Sequence, residues 1–150
     1  MNRHPKDQSK TPLWRVHFDA VPLAAFIVDE AVRILDFNPA AEALLGFAPR
    51  SSLHRRGGEV FHCIYAEKVG CGKSKLCKNC IIRNSVQSAL AGESPQRKFH
   101  QAELRGSRGV VSVGLLVTAS LLPGTETPQV LLFLENVAET VSLSKRHLGV

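Results

Sequence analysis

The four cysteines of this sequence are its most reactive side chains, and they lie close together in the chain. Cys63, Cys71, Cys77 and Cys80 fall within eighteen residues, with the spacing C-x7-C-x5-C-x2-C. Two thiolates separated by two residues form a recurring half-site for a tetrahedral metal ion, because the turn between them can aim both sulfurs at one point. We therefore predict that the four cysteines converge on one metal centre.

Positive charge is concentrated in the same part of the sequence. The chain carries a net charge of +6, and residues 50–83, with eight basic and two acidic side chains, account for all of it. Four thiolates around Zn²⁺ or an oxidised four-iron cluster leave a charge of about −2. We expect nearby cations and a helix beginning near Asn79 to offset this charge and to lower the thiol pKa values. The cations are Lys68, Lys73, Lys75, Lys78 and Arg83.

Other uses of these cysteines are open at this point. The chain shows no secretion signal, so a reducing compartment is expected, which disfavours disulfides. A redox-switched dithiol pair of Cys77 and Cys80 is an alternative to a metal. Zinc and iron–sulfur centres both use a two-residue cysteine spacing, so the metal stays open. Covalent haem attachment is excluded because Ile81, and not a histidine, follows Cys80.

The cysteines lie in a segment without clear periodicity, residues 49–79, between regions of regular pattern. The clearest element after it is a strand over 111–121, where every odd position is apolar and faces a core. The order of elements predicts an antiparallel sheet with helices on one face. The predicted elements are helix 13–21, strands 25–28 and 33–37, helices 39–45 and 79–90, and strands 97–105, 111–121 and 130–134.

Length and composition indicate a single folded domain. The chain has 150 residues, of which 44% are hydrophobic and 21% charged, which excludes wholesale disorder. No apolar run reaches the ~18 residues of a membrane span, and we expect a cytoplasmic protein. We divide the chain into a flexible N-terminal tail (1–12), a domain over 13–140 with the four-cysteine loop at 60–80, and a C-terminal stub (141–150).

Several short motifs resemble those of PAS sensory domains. The resemblance covers residues 14–140 and implies an α+β fold, a PAS-like five-stranded antiparallel sheet with helices on one face that enclose a pocket. It also implies a sensor of light, gas, redox state or small molecules. Such a sensor signals to a partner such as a histidine kinase or a transcription regulator, and it often dimerises through its N-terminal helix. The motifs are Phe18-Asp19-Ala20-Val21-Pro22, Ile27-Val28-Asp29, Ile34-Leu35-Asp36-Phe37-Asn38-Pro39-Ala40-Ala41, Leu45-Gly46 and the closing Glu135–Thr140.

The cysteine passage itself resembles a subgroup of bacterial PAS domains that carry this cysteine set before the last helix. We therefore expect a signal-sensing module in which the four cysteines bind an iron–sulfur cluster, such as [4Fe–4S], or zinc, and which senses redox state or oxygen. Other iron–sulfur PAS sensors space their cysteines as two pairs, each separated by two residues. Because this spacing differs, zinc remains an alternative. The alternative is a zinc-stapled module that binds a protein or small ligand without redox function. Only ten residues follow Thr140, so the domain acts alone on a partner or is a fragment of a longer sensor.

Other motifs carry less weight. Gly72-Lys73-Ser74 lacks the first glycine of a phosphate-binding loop. No Ser-His-Asp or paired-carboxylate arrangement is visible, so we do not expect an enzyme. We assign His62 to a solvated loop, residues 54–56 to a solvated basic turn and His100 to an exposed strand. Nucleic-acid binding is not expected, because the cysteine loop offers few aromatic side chains for stacking on bases.

Overall fold

The structure is a computed structural model that describes residues 10–45 and 53–138. Five strands form one sheet in the order β2-β1-β5-β4-β3, and every neighbouring pair is antiparallel. Two 3₁₀ helices, Ile64–Ala66 and Lys75–Asn79, lie between the third and fourth α-helices. The α-helices are α1 (Leu13–Ala20), α2 (Pro39–Leu45), α3 (Gly57–Val60) and α4 (Ile81–Leu90), and the strands are β1 (Ala24–Val28), β2 (Ile34–Phe37), β3 (Lys98–Gly106), β4 (Gly109–Leu121) and β5 (Val130–Asn136).

The core lies on the inner face of this sheet, where alternate residues of the central strands meet. On β4, Val117 and Ala119 are buried, and they pair with Leu134 and Leu132 of β5. Phe26 of β1 pairs with Leu132 and is completely buried. Helix α4 contacts β4, β3 and β5 and adds buried side chains to the same core. The alternation predicted from the sequence is therefore the one that builds the core.

The α+β fold predicted from the sequence, with its five-stranded antiparallel sheet, is confirmed. Most predicted ends differ by one or two residues from those observed, and two differences concern the cysteine segment. Helix α4 begins at Ile81 rather than at Asn79, because Lys75–Asn79 already forms a 3₁₀ helix with Cys80 between the two. The segment 49–79, expected to be irregular, holds α3 and both 3₁₀ helices.

Parts of the predicted domain division fall outside the described residues. These parts are residues 1–9 of the predicted tail, residues 46–52 and 139–140 of the predicted domain, and the whole stub 141–150. Gly46 of the Leu45-Gly46 motif is among them. In the part of the chain that is described, no helix is long and apolar enough to cross a membrane.

A buried asparagine joins the start of the sheet to the first two helices. Asn38 is completely buried, and its Oδ1 accepts hydrogen bonds from the backbone N–H groups of Ala25 (3.0 Å) and Ala41 (2.9 Å). Its Nδ2 donates to the carbonyl oxygens of Val21 (3.1 Å) and Leu23 (2.9 Å), and more weakly to that of Phe18. One side chain thus caps α2 and fixes the chain that leads from α1 into β1.

We expect Asn38→Ala to lower the free energy of unfolding by about 3 kcal/mol, because several buried backbone groups would lose their partner. Urea denaturation measures the change. The control is Asn84→Ala, since the exposed Asn84 makes a single hydrogen bond to the Lys78 carbonyl and its loss should cost less than about 1 kcal/mol. Equal effects of the two substitutions would contradict the role given to Asn38.

Candidate metal centre

The four cysteines come from four different local settings. Cys63 precedes the first 3₁₀ helix and forms an isolated antiparallel bridge with Leu104 of β3. Cys71 lies in a loop, and Cys77 belongs to the second 3₁₀ helix. Cys80 is the N-cap residue of α4, and its backbone N–H donates to the Cys77 carbonyl at 3.1 Å. The N-terminal helix position predicted for Cys80 is therefore confirmed.

All four cysteines line one cavity of about 420 Å³ between the sheet, α3, α4 and the cysteine loop, which we define as residues 61–80. All four are free thiols, each partly exposed. Within residues 10–45 and 53–138, no three Cys, His, Asp or Glu side chains are arranged to hold a metal ion. The sulfurs thus share a cavity rather than one ligand point, and their convergence on a metal centre stays a prediction.

Gly58 of α3 holds two of the cysteine segments at once. Its N–H donates to Cys71 Sγ at 3.3 Å, and its carbonyl accepts from the Cys63 N–H at 2.8 Å. A Cβ at position 58 would lie 2.8 Å from Cys71 Sγ, which is closer than two such atoms can approach. Glycine is required here because only a bare backbone lets the amide reach the sulfur.

Two arginines hold the backbone next to Cys71. Arg56 Nη1 donates to the Cys71 carbonyl at 2.7 Å, and Arg83 Nη1 donates to the Gly72 carbonyl at 2.6 Å. Gly72 has a φ of +85°, and a Cβ there would lie 2.9 Å from Arg83 Nη1. The glycine therefore permits both the turn and the close approach of the guanidinium.

Of the cations expected from the sequence, only Arg83 lies at the cavity. Among the described residues that line it, the Lys and Arg side chains are Arg56 and Arg83, and none of the four predicted loop lysines contributes. The expectation that these lysines lie at the site is therefore wrong, because their side chains extend into solvent. Arg56 was assigned to a solvated turn and instead reaches the Cys71 carbonyl. The adjacent Gly57-Gly58 pair is the one sequence signal for such a close approach.

Strand β3 supports the other end of the cysteine loop. The Arg105 N–H donates to the His62 carbonyl at 2.8 Å. The Arg105 guanidinium forms two hydrogen bonds with the Glu67 carboxylate, Nε to Oε1 at 2.8 Å and Nη2 to Oε2 at 3.1 Å. These bonds lower the pKa of Glu67. The imidazole of His62 is exposed, which agrees with its assignment to a solvated loop.

The thiol pKa values differ from the sequence expectation. Burial raises the pKa of Cys71 above that of an ordinary thiol, and the hydrogen bond from Gly58 only partly offsets this effect. Burial also raises the pKa of Cys80, against the N–H groups of Arg83 and Ile82 at the start of α4. The prediction that cations and the helix end lower these pKa values is therefore wrong for both thiols, because desolvation outweighs the donors.

His100 is a second residue that the sequence analysis placed wrongly. It lies on the edge strand β3, but it is partly buried and lines the same cavity as the cysteines. Burial lowers the pKa of its imidazole. One face of β3 points to the cavity, where His100, Ala102 and Leu104 line it. The polar sequence of the strand does not reveal this face, because only Ala102 and Leu104 among these residues are apolar.

Comparison with known proteins agrees with this architecture. Residues 13–79 match the family model of the PAS domain. The structure of the PAS domain of nitrogen regulation protein NR(II) from Vibrio parahaemolyticus is similar over 84% of this chain and 99% of its own, with a TM-score of 0.53 and 18% identity. That of the PAS domain of BvgS from Bordetella pertussis is similar over 96% and 99%, with a TM-score of 0.56 and 14% identity.

A third solved structure is a domain of a sensory box sensor histidine kinase/response regulator from Geobacter sulfurreducens. It is similar over 88% of this chain and 96% of its own, with a TM-score of 0.52 and 19% identity. No protein with curated annotation matches the sequence. The family match over residues 13–79 and the shared fold support the PAS-like fold that the sequence motifs predicted. The subgroup with a four-cysteine insertion stays a prediction.

We expect Gly58→Ala to disturb the site while Gly57→Ala does not. A Cβ at position 58 would overlap Cys71 Sγ, whereas at position 57 its nearest neighbour, Val32 Cγ1, would be at 3.4 Å. Urea denaturation should show a loss of about 1–3 kcal/mol for Gly58→Ala. Gly57→Ala should be neutral or slightly stabilising, because alanine favours the helix. Equal stabilities of the two variants would show that Gly58 does not confine Cys71.

Proposed function

We propose that this chain is a signal-sensing PAS module in which Cys63, Cys71, Cys77 and Cys80 bind an iron–sulfur cluster, such as [4Fe–4S], that reports redox state or oxygen. The observation that carries the proposal is the single cavity that all four cysteines line. No other cysteine is present in the chain, so every thiol it has is placed at this cavity. Four cysteine thiolates are the usual ligand set of such clusters.

The cavity has room for a cluster as well as for a single ion. Its volume of about 420 Å³ exceeds what one ion with four directly bonded sulfurs occupies. Binding of either cofactor requires the thiols to close on it and to lose their protons. The alternative is a zinc ion that only fixes the loop, in a PAS module that binds a protein or a small ligand without redox function. The test below separates the two.

The raised thiol pKa values fit a site whose cysteines become thiolates when a metal binds. Cys71 and Cys80 are protonated at neutral pH in the metal-free chain, because their pKa values lie above the ordinary value. A bound metal stabilises the thiolates, so its uptake releases protons. When bound, an iron–sulfur cluster supplies a centre whose oxidation state and integrity respond to oxygen.

The contacts of the cysteine loop connect it in two ways to the first and last elements of the domain, so a structural change in the loop can be transmitted to them. On one side, Cys63 and Arg105 join the loop to β3, which continues through β4 and β5 to Asn136. On the other side, the Gly57 N–H of α3 donates to the Val32 carbonyl next to β2. Asp36 of β2 then pairs with Arg15 of α1. A change in how the loop is held thus reaches both terminal elements.

We infer that the receiver of this change is a signalling protein, such as a histidine kinase or a transcription regulator. A PAS domain of a sensor histidine kinase is among the solved structures with this fold. Sensing rather than catalysis is proposed, and nucleic acid is not the proposed partner. The proposal places the chain in the cytoplasm, where thiols stay reduced.

Anaerobic purification tests the cofactor. We expect brown protein with about four iron atoms per chain, because four thiolates hold a [4Fe–4S] cluster. Its visible absorption should bleach in air, because the four cysteines are partly exposed and oxygen can reach the cluster. Cys71→Ser should lose most of the iron. The matched control is His62→Asn, which keeps an exposed polar residue that tolerates the φ of +58° and should retain the full iron content.

Three results would count against the cluster. Colourless protein with one zinc per chain, unchanged by air, would support the zinc-stapled alternative. Protein that takes up neither metal when reconstituted with iron and sulfide or with zinc would contradict both readings. Full iron content in Cys71→Ser would show that the cavity cysteines are not the ligands.

We also propose that the chain forms a homodimer through α1. The helix presents Leu13 (69% exposed), Trp14 (52%) and Val16 (50%) to solvent, while only Phe18 is buried against the domain. Light scattering after gel filtration should give a dimer, and Leu13→Glu should give a monomer because it places charge in the apolar contact. Thr11→Glu, which adds the same charge just before the helix, should stay dimeric. A monomeric wild-type chain would contradict this proposal.

A further inference from the structure

Arg83 contacts two cysteine segments through different parts of the residue. Its guanidinium donates to the Gly72 carbonyl at 2.6 Å, directly after Cys71. Its backbone N–H, in the first turn of α4, donates toward the Cys80 thiol. The residue therefore fixes the spacing between the loop that carries Cys71 and the helix that begins after Cys80.

Arg56 supports the preceding carbonyl of the same loop. Its guanidinium donates to the Cys71 carbonyl at 2.7 Å, so two consecutive carbonyls accept from two different arginines. Neither Arg56 nor Arg83 has an acidic partner within salt-bridge distance among the described residues. Neither guanidinium is thus engaged in an ion pair with a carboxylate of the described residues.

The other charged groups along the cavity do not replace these two. Glu103 lines the cavity, but its carboxylate accepts a hydrogen bond from the Ser112 hydroxyl at 2.9 Å. Glu30 is exposed, and its carbonyl accepts from Gln87. Burial favours the neutral form of His100. The fixed positive charge at the cavity wall therefore comes from Arg56 and Arg83.

We propose that Arg56 and Arg83 are positioning residues of the metal centre. They hold the Cys71–Gly72 backbone at the cavity before any metal is present, and they place two fixed positive charges beside the thiolates. The second role rests on the proposed function, because it needs a bound cluster to act on. The first role does not, because the hydrogen bonds are made in the metal-free chain.

Cysteine alkylation of the metal-free protein tests the first role. Iodoacetamide is added to chelator-treated chain, and the rate at each cysteine is followed by peptide mass spectrometry. We expect Arg83→Gln to raise the rate at Cys71 several-fold relative to that at Cys63, since Cys71 is released from the Gly58 amide. Arg108→Gln is the matched control, because Arg108 is an exposed arginine in the β3–β4 turn, far from the loop in sequence. Identical Cys71 rates in the two variants would overturn the positioning role.

The reduction potential of the loaded protein tests the second role. Reduction makes a four-thiolate cluster more negative, so removal of a nearby cation disfavours it. Arg83→Gln and Arg56→Gln should each shift the midpoint potential to more negative values, Arg83→Lys should shift it less, and Arg108→Gln should leave it close to that of the wild type. An arginine that served only to fold the loop would lower the cluster content and leave the potential of the loaded fraction unchanged, and that result would overturn the electrostatic role.

The two assays separate failure of this inference from failure of the proposed function. A wild-type chain that takes up no iron would contradict the cluster, while the alkylation assay would still decide the role of the two arginines. If Arg83→Gln alone takes up no iron, its alkylation rates still decide the positioning role. The midpoint potential of Arg83→Lys then decides the electrostatic role. A normal iron content with unchanged rates and potentials in both arginine variants would overturn the inference and leave the proposed cluster standing.

Discussion

The cysteine loop depends on hydrogen bonds because it has almost no core of its own. None of its residues from 61 to 80 is fully buried. Ordering the backbone costs about 1–2 kcal/mol per residue, and burial of apolar side chains cannot offset that cost here. The contacts that hold the loop include the Gly58 hydrogen bonds, the two arginines on consecutive carbonyls, the Arg105–Glu67 pair and the Cys63–Leu104 bridge. A bound metal would add the strongest restraint that such a segment can have.

Backbone strain lies at the boundaries of this loop and of the segment that leads to it. Val32, His54 and His62 all have positive φ values, of 60°, 67° and 58°. Each is held by a backbone hydrogen bond: the Val32 carbonyl by Gly57, the His54 N–H by Ile34, and the His62 carbonyl by Arg105. A β-branched residue such as Val32 adopts this conformation only where its surroundings impose it. The three residues therefore mark where the chain changes direction to enclose the cavity.

The fold was readable from the sequence because its signals are local. The odd-position alternation of β4 and the Asn38-Pro39 start of α2 need only neighbouring residues. The start of α2 agrees with the structure, and the alternation agrees over 115–119, whereas Val111 and Leu121 are exposed. The site was readable only in part. The thiols could be identified, but Arg56 meets the Cys71 carbonyl across fifteen residues of chain, and His100 reaches the cavity through the pairing of β3. The thiol pKa values depend on burial, which charge counting along a sequence does not contain.

The placement of the cysteine loop on β3 also separates chemistry from scaffold. Strand β3 is at the margin of the sheet, whereas β1, β5 and β4 carry most of the buried side chains. Changes in the loop are therefore expected to leave most of the hydrophobic core, and with it the architecture of the domain, in place. Residues 61–80 can in this way be exchanged for other sequences, and other sets of metal ligands can be designed into the same fold.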